Sequence, residues 1–439
     1  MNQIVKDPDL RSPLSPERAG QSCVRGPRSS LAPSSVLSPP TLSVALLTGG
    51  DDKSYAVGLA SALVGKGVSL DLIGSDKVDA PELHDMPLIN FLNLRGDQRE
   101  NVNFGKKIRR ILTYYGRLLR YAGSARPQIF HILWNNKFEL FDRVFLMLYY
   151  RLLGRKIVLT AHNVNAAKRD SRDNFLNRVS LRIQYGLTDH IFVHTERMKS
   201  ELATDFGISE GKVSVIPFGI NNTSPKTDIT TGRAKERLGV KSDDKTALFF
   251  GQIAPYKGLE YLVSAFSQAA KNNRAYRLII AGKVKRGHTD YWRKIQRDIS
   301  ASEIPNQIIE RIEHIPDEET ELYFKGADVL IVPYTQIAQS GVPFLAYSFG
   351  LPVIATDVGS LREDIVEGKT GYVCRPRDSF DLARAINRYF DSDLFSDLEE
   401  RRSEIKQYAN ERYSWEKVAA ITTSVYFRVL RGTEHTQLR

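Results

Sequence analysis

The sequence predicts an α/β protein built from two doubly wound parallel-sheet halves that face each other across a cleft. Three observations predict it. From Leu42 onward short apolar runs alternate with stretches of helical spacing, a polar break lies between Asn221 and Asp244, and a second alternating series follows from Lys245. Such alternation is the pattern of parallel sheets covered by helices on both faces. At 439 residues the chain also exceeds one ordinary core, so two domains of about 150 to 200 residues are expected.

The first series opens with a buried strand, Leu42 to Leu47, closed by Thr48-Gly49-Gly50-Asp51. Tyr55 to Val64 has helical spacing and stops at Gly65-Lys66-Gly67, and Ser69 to Ile73 is the next strand, closed by Gly74-Ser75-Asp76. Strands follow at Ile129 to Trp134, Lys156 to Thr160, His190 to His194 and Val213 to Pro217. From Asn221 to Asp244 Thr, Ser, Pro, Lys and Asp dominate, which reads as a linker region holding a short helix over Arg233 to Leu238. The second series places strands at Lys245 to Phe250, Arg277 to Ala281, Gln307 to Ile312, Val329 to Val332, Val353 to Ala355 and Gly371 to Cys374. Ligands of open parallel sheets bind beyond the C-terminal strand ends, so two such halves make a binding cleft between them.

Composition narrows the function classes. The chain is 42% hydrophobic and 26% charged, ordinary for a globular protein, but its net charge of +11 suits an anionic partner. A nucleotide, a nucleic acid or an acidic membrane surface meets that requirement; no recognition-helix or aromatic single-strand pattern separates out, so nucleic acid is not expected. Cys23 and Cys374 are the only cysteines, which excludes a disulfide framework and a cysteine-based zinc cluster and fits a reducing compartment. The first 40 residues hold seven prolines and eight serines and read as a disordered tail without a signal-peptide core. The most apolar run, Val144 to Tyr150, is far shorter than the roughly 20 residues of a spanning helix. The expected location is cytoplasmic, with peripheral attachment to a membrane as the alternative.

The strand ends carry the candidate chemistry. In Phe249-Phe250-Gly251-Gln252-Ile253-Ala254-Pro255-Tyr256-Lys257-Gly258 an apolar strand runs into a glycine, a short turn and a lysine at the expected start of a helix. A cation there opposes the helix dipole unless an anion sits beside it, so Lys257 reads either as a solvated surface group or as a phosphate ligand. Gly49-Gly50 serves a tight turn or a loop passing close to a phosphate, and it lacks the GxGxxG spacing of a dinucleotide fingerprint. His162, just past a buried strand, is a satisfied structural imidazole or a cleft residue that meets a hydroxyl or a proton; His131 and His194 read as structural. After Val332-Pro333 a polar loop leads to Gln339-Ser340-Gly341-Val342, an ordinary helix cap or a second anion cradle. Asn103 to Tyr121 carries Lys106, Lys107, Arg109, Arg110, Arg117 and Arg120 on a helical pattern with an apolar stripe, which reads as a membrane-surface helix or as a helix packed on its own domain.

In this order and spacing the motifs resemble those of nucleotide-sugar-dependent glycosyltransferases of the GT-B fold, specifically the retaining family four (glycosyltransferase group 1). Gly251 through Gly258 is similar to that family's Gly-Arg-hydrophobic-x-x-x-Lys-Gly phosphate loop, and Leu278-Ile279-Ile280-Ala281-Gly282 to its next strand and turn. Asp317-Glu318-Glu319, Tyr323, Ala327-Asp328-Val329 and Pro333 resemble the approach to its donor loop, with Gly350-Leu351-Pro352-Val353-Ile354-Ala355 and Gly359-x-x-x-Glu363 beyond it. The resemblance implies two Rossmann-like domains: residues 41–220 on the acceptor side, a linker over 221–244, the nucleotide-sugar domain over 245–412, and a helix over 413–431 crossing back to the first domain. It implies that Lys257, with Gly251 and Gln252, holds the donor diphosphate, that Gln339, Ser340, Gly341 and Val342 line the donor, that Gly50 approaches from the opposite domain, and that His162 contacts the transferred sugar.

The implied reaction is metal-independent transfer of a hexose-type sugar, with retention, from a nucleotide-diphosphate sugar to a lipid-linked or saccharide hydroxyl, in polysaccharide, glycolipid or cell-envelope assembly. Two departures stand out. Gln252 replaces the loop arginine, and the family's paired glutamates fall on Ile337 and Leu345, as in a variant branch with a Gln-Ser-Gly loop. The alternatives are a catalytically inactive partner protein of the same fold and a sugar-nucleotide epimerase.

Overall fold

The computed structural model describes residues 42–49, 52–99, 103–169, 172–220 and 227–432, which fall in one compact unit spanning Thr41–Arg439. The Ser/Pro-rich tail, Cys23 and Gly50 lie outside the described residues. Two wholly parallel sheets form the frame. The first contains β1 (Ser43–Leu47), β2 (Ser69–Gly74), β3 (Ile89–Asn93), β4 (Ile129–Ile132), β5 (Lys156–Thr160), β6 (His190–Val193) and β7 (Val213–Val215), in the order β3-β2-β1-β4-β5-β6-β7. The second contains β8 (Lys245–Phe250), β9 (Tyr276–Ala281), β10 (Ile308–Arg311), β11 (Val329–Val332), β12 (Val353–Thr356) and β13 (Gly371–Cys374), in the order β10-β9-β8-β11-β12-β13.

The apolar runs form these strands because both faces are covered. Val44, Ala45 and Leu46 in β1 and Leu278 to Ala281 in β9 are wholly buried, so alternation with polar residues has no place there. The edge strand β3 is the exception that the sequence reading leaves out. Its Ile-Asn-Phe-Leu-Asn run is short, half-exposed and diluted by asparagine, and only its pairing with β2 makes it a strand.

Strand order reverses once in each sheet, between β1 and β4 and between β8 and β11. At such a switch point the loops leaving the two central strands diverge and open a crevice. The first crevice lies between Gly49 and the Trp134–Lys137 segment, and the second lies between Gly251–Gly258 and Pro333–Val342.

The polar break between the halves also contains structure. A helix over Thr231–Arg237, capped by the Thr230 hydroxyl, sends buried Lys235 to Asp328 at 3.0 Å and to the Asp244 carbonyl at 2.7 Å. Asp328 in turn accepts the Thr246 N–H at 2.7 Å, which fastens this helix to the edge of β8. The last helix, Trp415–Arg431, packs on the first one, Lys53–Gly65, and places Val418, Ala419, Val425 and Tyr426 in the core of the N-terminal half. Trp415 fits only because Gly58 and Gly219 flank it; a Cβ on either would stand 2.3–2.4 Å from its ring. Its indole N–H donates to the Ile220 carbonyl at 3.0 Å, while the Ile220 N–H donates to the Tyr413 carbonyl at 2.9 Å.

Candidate functional site: the interdomain cleft

The loop after β8 carries Lys257 on a single 3-10 turn, Pro255–Lys257, and the α-helix begins one residue later, at Leu259. Lys257 therefore precedes the helix that was expected to start with it. Gly258 makes the junction at φ +64, where a Cβ would lie 2.1 Å from the Pro333 carbonyl oxygen. No L-residue fits that geometry without moving the neighbouring loop. The loop after β11 is held to the same turn, since the Thr335 N–H donates to the Tyr256 carbonyl at 2.9 Å. The Lys257 side chain is buried, with Nζ 3.7 Å from the centroid of the Tyr334 ring, so the reading of a solvated surface lysine does not hold. A desolvated ammonium over a π face is a cation whose field reaches the crevice with little screening.

The other expected donor residues spread around this turn. Gly251, at φ +112, lies against Val342: a Cβ there would sit 3.8 Å from a Val342 methyl. Gly341 caps the helix Val342–Ser348, and the first N–H groups of that helix have no intrahelical acceptor. Val342 N–H lies 3.4 Å from the buried Ser340 hydroxyl. Gln252 is exposed. Gln339 is buried, and its side-chain carbonyl accepts the Ser360 hydroxyl inside the C-terminal half.

Across the cleft, β5 delivers His162. The register pairs Thr160 with Phe192, which sets His162 and His194 at the same distance beyond the ends of β5 and β6. They meet: His194 Nε2 and His162 Nδ1 are 3.0 Å apart. Trp134 stacks on His162 with ring centroids 4.3 Å apart and planes 4° from parallel, and Tyr55 meets it edge-on. Burial drives the His162 pKa far below its ordinary value, with the His194 and His131 imidazoles adding to the fall. His194 is pushed down to about 4 by burial, against the pull of the Ile216 carbonyl. Both rings are therefore neutral at pH 7. His194 Nδ1 faces the Ile216 carbonyl at 3.3 Å and must donate to it. Its Nε2 then accepts from His162 Nδ1–H, which leaves His162 Nε2 as a bare acceptor; that atom is buried and lacks a partner.

Among the described residues, two of the cavities that join the halves lie beside these loops. One of about 210 Å³ is lined by Asp52, Tyr55, Phe218, Gly341, Leu345 and Trp415. Another, of about 480 Å³, sets Asn163 and Val164, the residues after His162, opposite Gln336, Ile337 and Gly359. Phe218 stacks on Phe344 across the seam at 5.3 Å. Burial raises the Asp52 pKa; the Tyr55 N–H it accepts opposes the rise, and Asp317 of the opposite half adds to it.

Residues 53–223 match the family model "Glycosyltransferase Family 4", and residues 231–412 match "Glycosyl transferases group 1". The chain is a glycosyltransferase-family protein of the GT-B fold. Among curated relatives, it is 24% identical over 285 residues to a D-inositol 3-phosphate glycosyltransferase of Corynebacterium aurimucosum, an alignment covering 62% of this chain and 65% of that one. The chain spans under two thirds of the length of the first such relatives it matches. Among solved structures, the sucrose-phosphate synthase of Thermosynechococcus elongatus superposes with a TM-score of 0.70 at 18% identity, covering 89% of this chain and all of that one. The Anabaena HepE protein, solved in complex with UDP-glucose, gives 0.64 at 16% identity, covering 88% of this chain and 100% of that one.

Within this GT-B chain the sequence reading missed the surroundings of His162. His194 is structural, as the sequence suggests, and through its bond to His162 Nδ1 it sets the His162 tautomer; its equal offset past the next strand is the signal that pairs the two. His131 is structural, held between the Tyr426 hydroxyl at 2.5 Å and the Thr160 hydroxyl at 2.8 Å. Tyr55, Trp134, Phe218 and Trp415 carry no local motif, and topology alone assembles them.

Proposed function

We propose that this GT-B chain transfers a hexose-type sugar, with retention, from a nucleotide-diphosphate donor to a hydroxyl acceptor. The observation that carries the reading is the buried Lys257 ammonium, locked between the two loops of the second switch point. A diphosphate in that crevice meets one ammonium and the Gly341 N–H, with Gly251 beneath it, and the Val342 N–H, which here donates to the Ser340 hydroxyl, turns to it together with that hydroxyl. As the bond between the anomeric carbon and the diphosphate oxygen breaks, those donors stabilise the developing negative charge, a metal-independent arrangement. The acceptor oxygen forms its bond to the anomeric carbon on the same face, its proton passes to the departing phosphate, and the nucleoside diphosphate leaves. His162 meets the transferred sugar, as the sequence resemblance implies; its Nε2, buried beside Trp134 and Tyr55, accepts from a sugar hydroxyl once donor binding displaces that packing. Gly50 and Gln252 keep their proposed places beside the diphosphate, the former on the sequence resemblance alone.

Gln339 acts through Ser360 by holding the donor loop. The relatives' names and the UDP-glucose complex of HepE support a sugar nucleotide as the donor class. A lipid-linked acceptor at an anionic, cytoplasmic membrane face is supported by the surface. Phe104, Ile108 and Leu112 form an exposed apolar stripe on the basic helix Phe104–Ser124, and Phe145, Leu148 and Leu152 form another on the adjacent helical segment. Among the described residues no helix is long and apolar enough to cross a membrane. Use in polysaccharide, glycolipid or cell-envelope assembly follows from such an acceptor.

One observation favours a second reading, a GT-B partner protein without transfer activity. Ile337 and Leu345 set apolar side chains in the two interdomain cavities, where the resemblance implies carboxylates. Calorimetric titration with a panel of nucleotide sugars, followed by a transfer assay on saccharide and polyprenyl-linked acceptors, separates the readings. Donor binding with product formation supports transfer. Absence of binding for every donor overturns it, and binding without product in any acceptor pool leaves the partner-protein reading.

A further inference from the structure

The donor loop is clasped from behind by the segment that leaves β12. Gly359, at φ +57, lies where a Cβ would stand 2.1 Å from the Ile337 carbonyl oxygen, so the approach needs glycine. The Ser360 N–H donates to the Ala338 carbonyl at 3.1 Å, and the Ser360 hydroxyl donates to the Gln339 side-chain carbonyl. The same segment then carries Asp364, which is only 7% exposed. One of its carboxyl oxygens accepts the Tyr413 hydroxyl at 3.2 Å, and the other is buried without a partner. Buried polar atoms are nearly always paired, and a half-satisfied carboxyl costs stability that an apolar side chain at that place would not.

Tyr413 stands where the chain leaves the C-terminal half. It ends the helix Leu398–Tyr413, its carbonyl accepts the Ile220 N–H at 2.9 Å, and Trp415 opens the helix that returns to the N-terminal half. Its ring meets Phe344 edge-on at 4.7 Å, and Phe344 stacks on Phe218 across the seam. Arg412 joins the two sides of Asp364: its Nε donates to the Tyr413 hydroxyl at 3.0 Å and its Nη2 to the Glu363 carbonyl at 3.3 Å. The groups that face the carboxyl are Glu363 on its own segment, Gln339 of the donor loop, Arg412 and Tyr413 of the helix end, and Tyr347 of the helix Val342–Ser348, with Tyr408 beside the two tyrosines. The Tyr347 hydroxyl donates to the Asp364 backbone carbonyl at 2.9 Å.

We infer that Asp364 is a positioning residue that ties the donor loop to the crossing between the halves, so that the clasp on Gln339 and the Tyr413 contact are made and released together. The word donor rests on the transferase reading; the tie itself does not. Burial lifts the Asp364 pKa to about 7, with Glu363 adding to the rise and Tyr413, Gln339 and Arg412 opposing it. A motion that lets water reach the carboxyl returns its pKa toward the ordinary value. Such opening is therefore hardest at low pH and becomes easier as pH rises toward 7. Both walls move for water to enter, since the donor loop forms one and Tyr413 the other. The clasped loop is the one that presents Gly341 and Val342 to a diphosphate, so nucleotide affinity follows the tie.

The test is hydrogen exchange of the full chain at pH 5 and pH 7, corrected for intrinsic rates and read at the Ser360 and Ile220 amides. In the wild type both are expected to exchange about tenfold faster at pH 7. In Asp364→Asn, which keeps the shape without the charge, neither responds. Tyr413→Phe keeps the response at Ser360 and loses it at Ile220. Calorimetric titration with UDP, taken relative to Asp364→Asn at each pH, is expected to show wild-type affinity falling severalfold from pH 5 to pH 7. The inference is overturned if Asp364→Asn retains the pH response, if the two wild-type amides respond separately, or if they still move together in Tyr413→Phe. It is also overturned if UDP affinity depends on Lys257 yet ignores pH relative to Asp364→Asn. Failure of the donor reading shows differently, as two amides that move together in a chain that does not bind UDP.

Discussion

The two halves of this GT-B chain face their common cleft with different materials. The C-terminal half offers backbone: two loops, glycines at 251, 258 and 341, and a single buried ammonium. The N-terminal half offers side chains, with His162, His194, Trp134 and Tyr55 in mutual ring contact and a rim of lysines and arginines. Backbone recognition demands particular residues at fixed local spacing, because a Cβ in the wrong place collides. Side-chain recognition demands only that distant positions converge. One half thus writes its site into a motif, and the other writes it into topology.

The largest expected effect tests the backbone side. Gly258→Ala forces a Cβ to within 2.1 Å of the Pro333 carbonyl at φ +64. About 3 to 4 kcal/mol of stability is expected to be lost, the sum of left-handed strain and loop displacement, read from denaturant unfolding. An alanine tolerated within 1 kcal/mol means the two donor loops are not locked, and the contrast between the halves weakens.

Next comes the seam. Asp364 is buried in the C-terminal half; one carboxylate oxygen accepts the Tyr413 hydroxyl at 3.2 Å and the other has no partner. Burial is the main cause that lifts its pKa from 3.8 to about 7. The folded protein therefore binds the proton more tightly than the unfolded chain does. That contribution is fully present below about pH 4 and is lost as pH rises to about 7. Asp364→Asn keeps the shape without the charge. Its stability relative to wild type is expected to grow from pH 4 to pH 7 and to stay flat above; a difference independent of pH sinks the assignment.

Legibility followed the same division. The strand runs of both sheets, the Gly251–Gly258 loop and the Lys257 position could be read directly, since buried parallel strands are continuously apolar and the loop is local. The half-exposed β3, the fastening of Thr231–Arg237 to β8 through Lys235, and the burial of Gln339 against Ser360 could not. Each depends on a partner far away in sequence. His162 was visible by its place after β5, but the ring that sets its tautomer lies 32 residues on.

Lys257→Ala isolates the one side chain on which the backbone half depends. Loss of a buried charge-assisted contact to phosphate is expected to weaken nucleoside-diphosphate affinity by about 2 kcal/mol, roughly 30-fold, in a calorimetric titration. Lys257→Arg should recover only part of it, since the planar guanidinium does not sit over Tyr334 as a point charge does. Equal affinity in wild type and the alanine variant would move the diphosphate elsewhere.

The smallest effect is the most specific, because it separates a side chain that touches the sugar from one that merely packs. His162 Nε2 is a bare acceptor only while His194 Nδ1 donates to the Ile216 carbonyl and both rings stay neutral. One neutral hydrogen bond to a sugar hydroxyl contributes about 1 kcal/mol, so His162→Ala is expected to lower kcat/KM roughly fivefold. Nucleoside-diphosphate affinity should not move, because the diphosphate belongs to the other half. His194→Phe removes the acceptor for His162 Nδ1–H and lets the proton shift to Nε2, so it should cost about as much although His162 is intact. The ¹⁵N shift of His162 Nε2 reads the tautomer directly, unprotonated in wild type at pH 7 and still so at pH 6, because burial depresses its pKa. A protonated Nε2 in the wild type, or a donor-affinity loss in His162→Ala, would erase the division of labour between the halves.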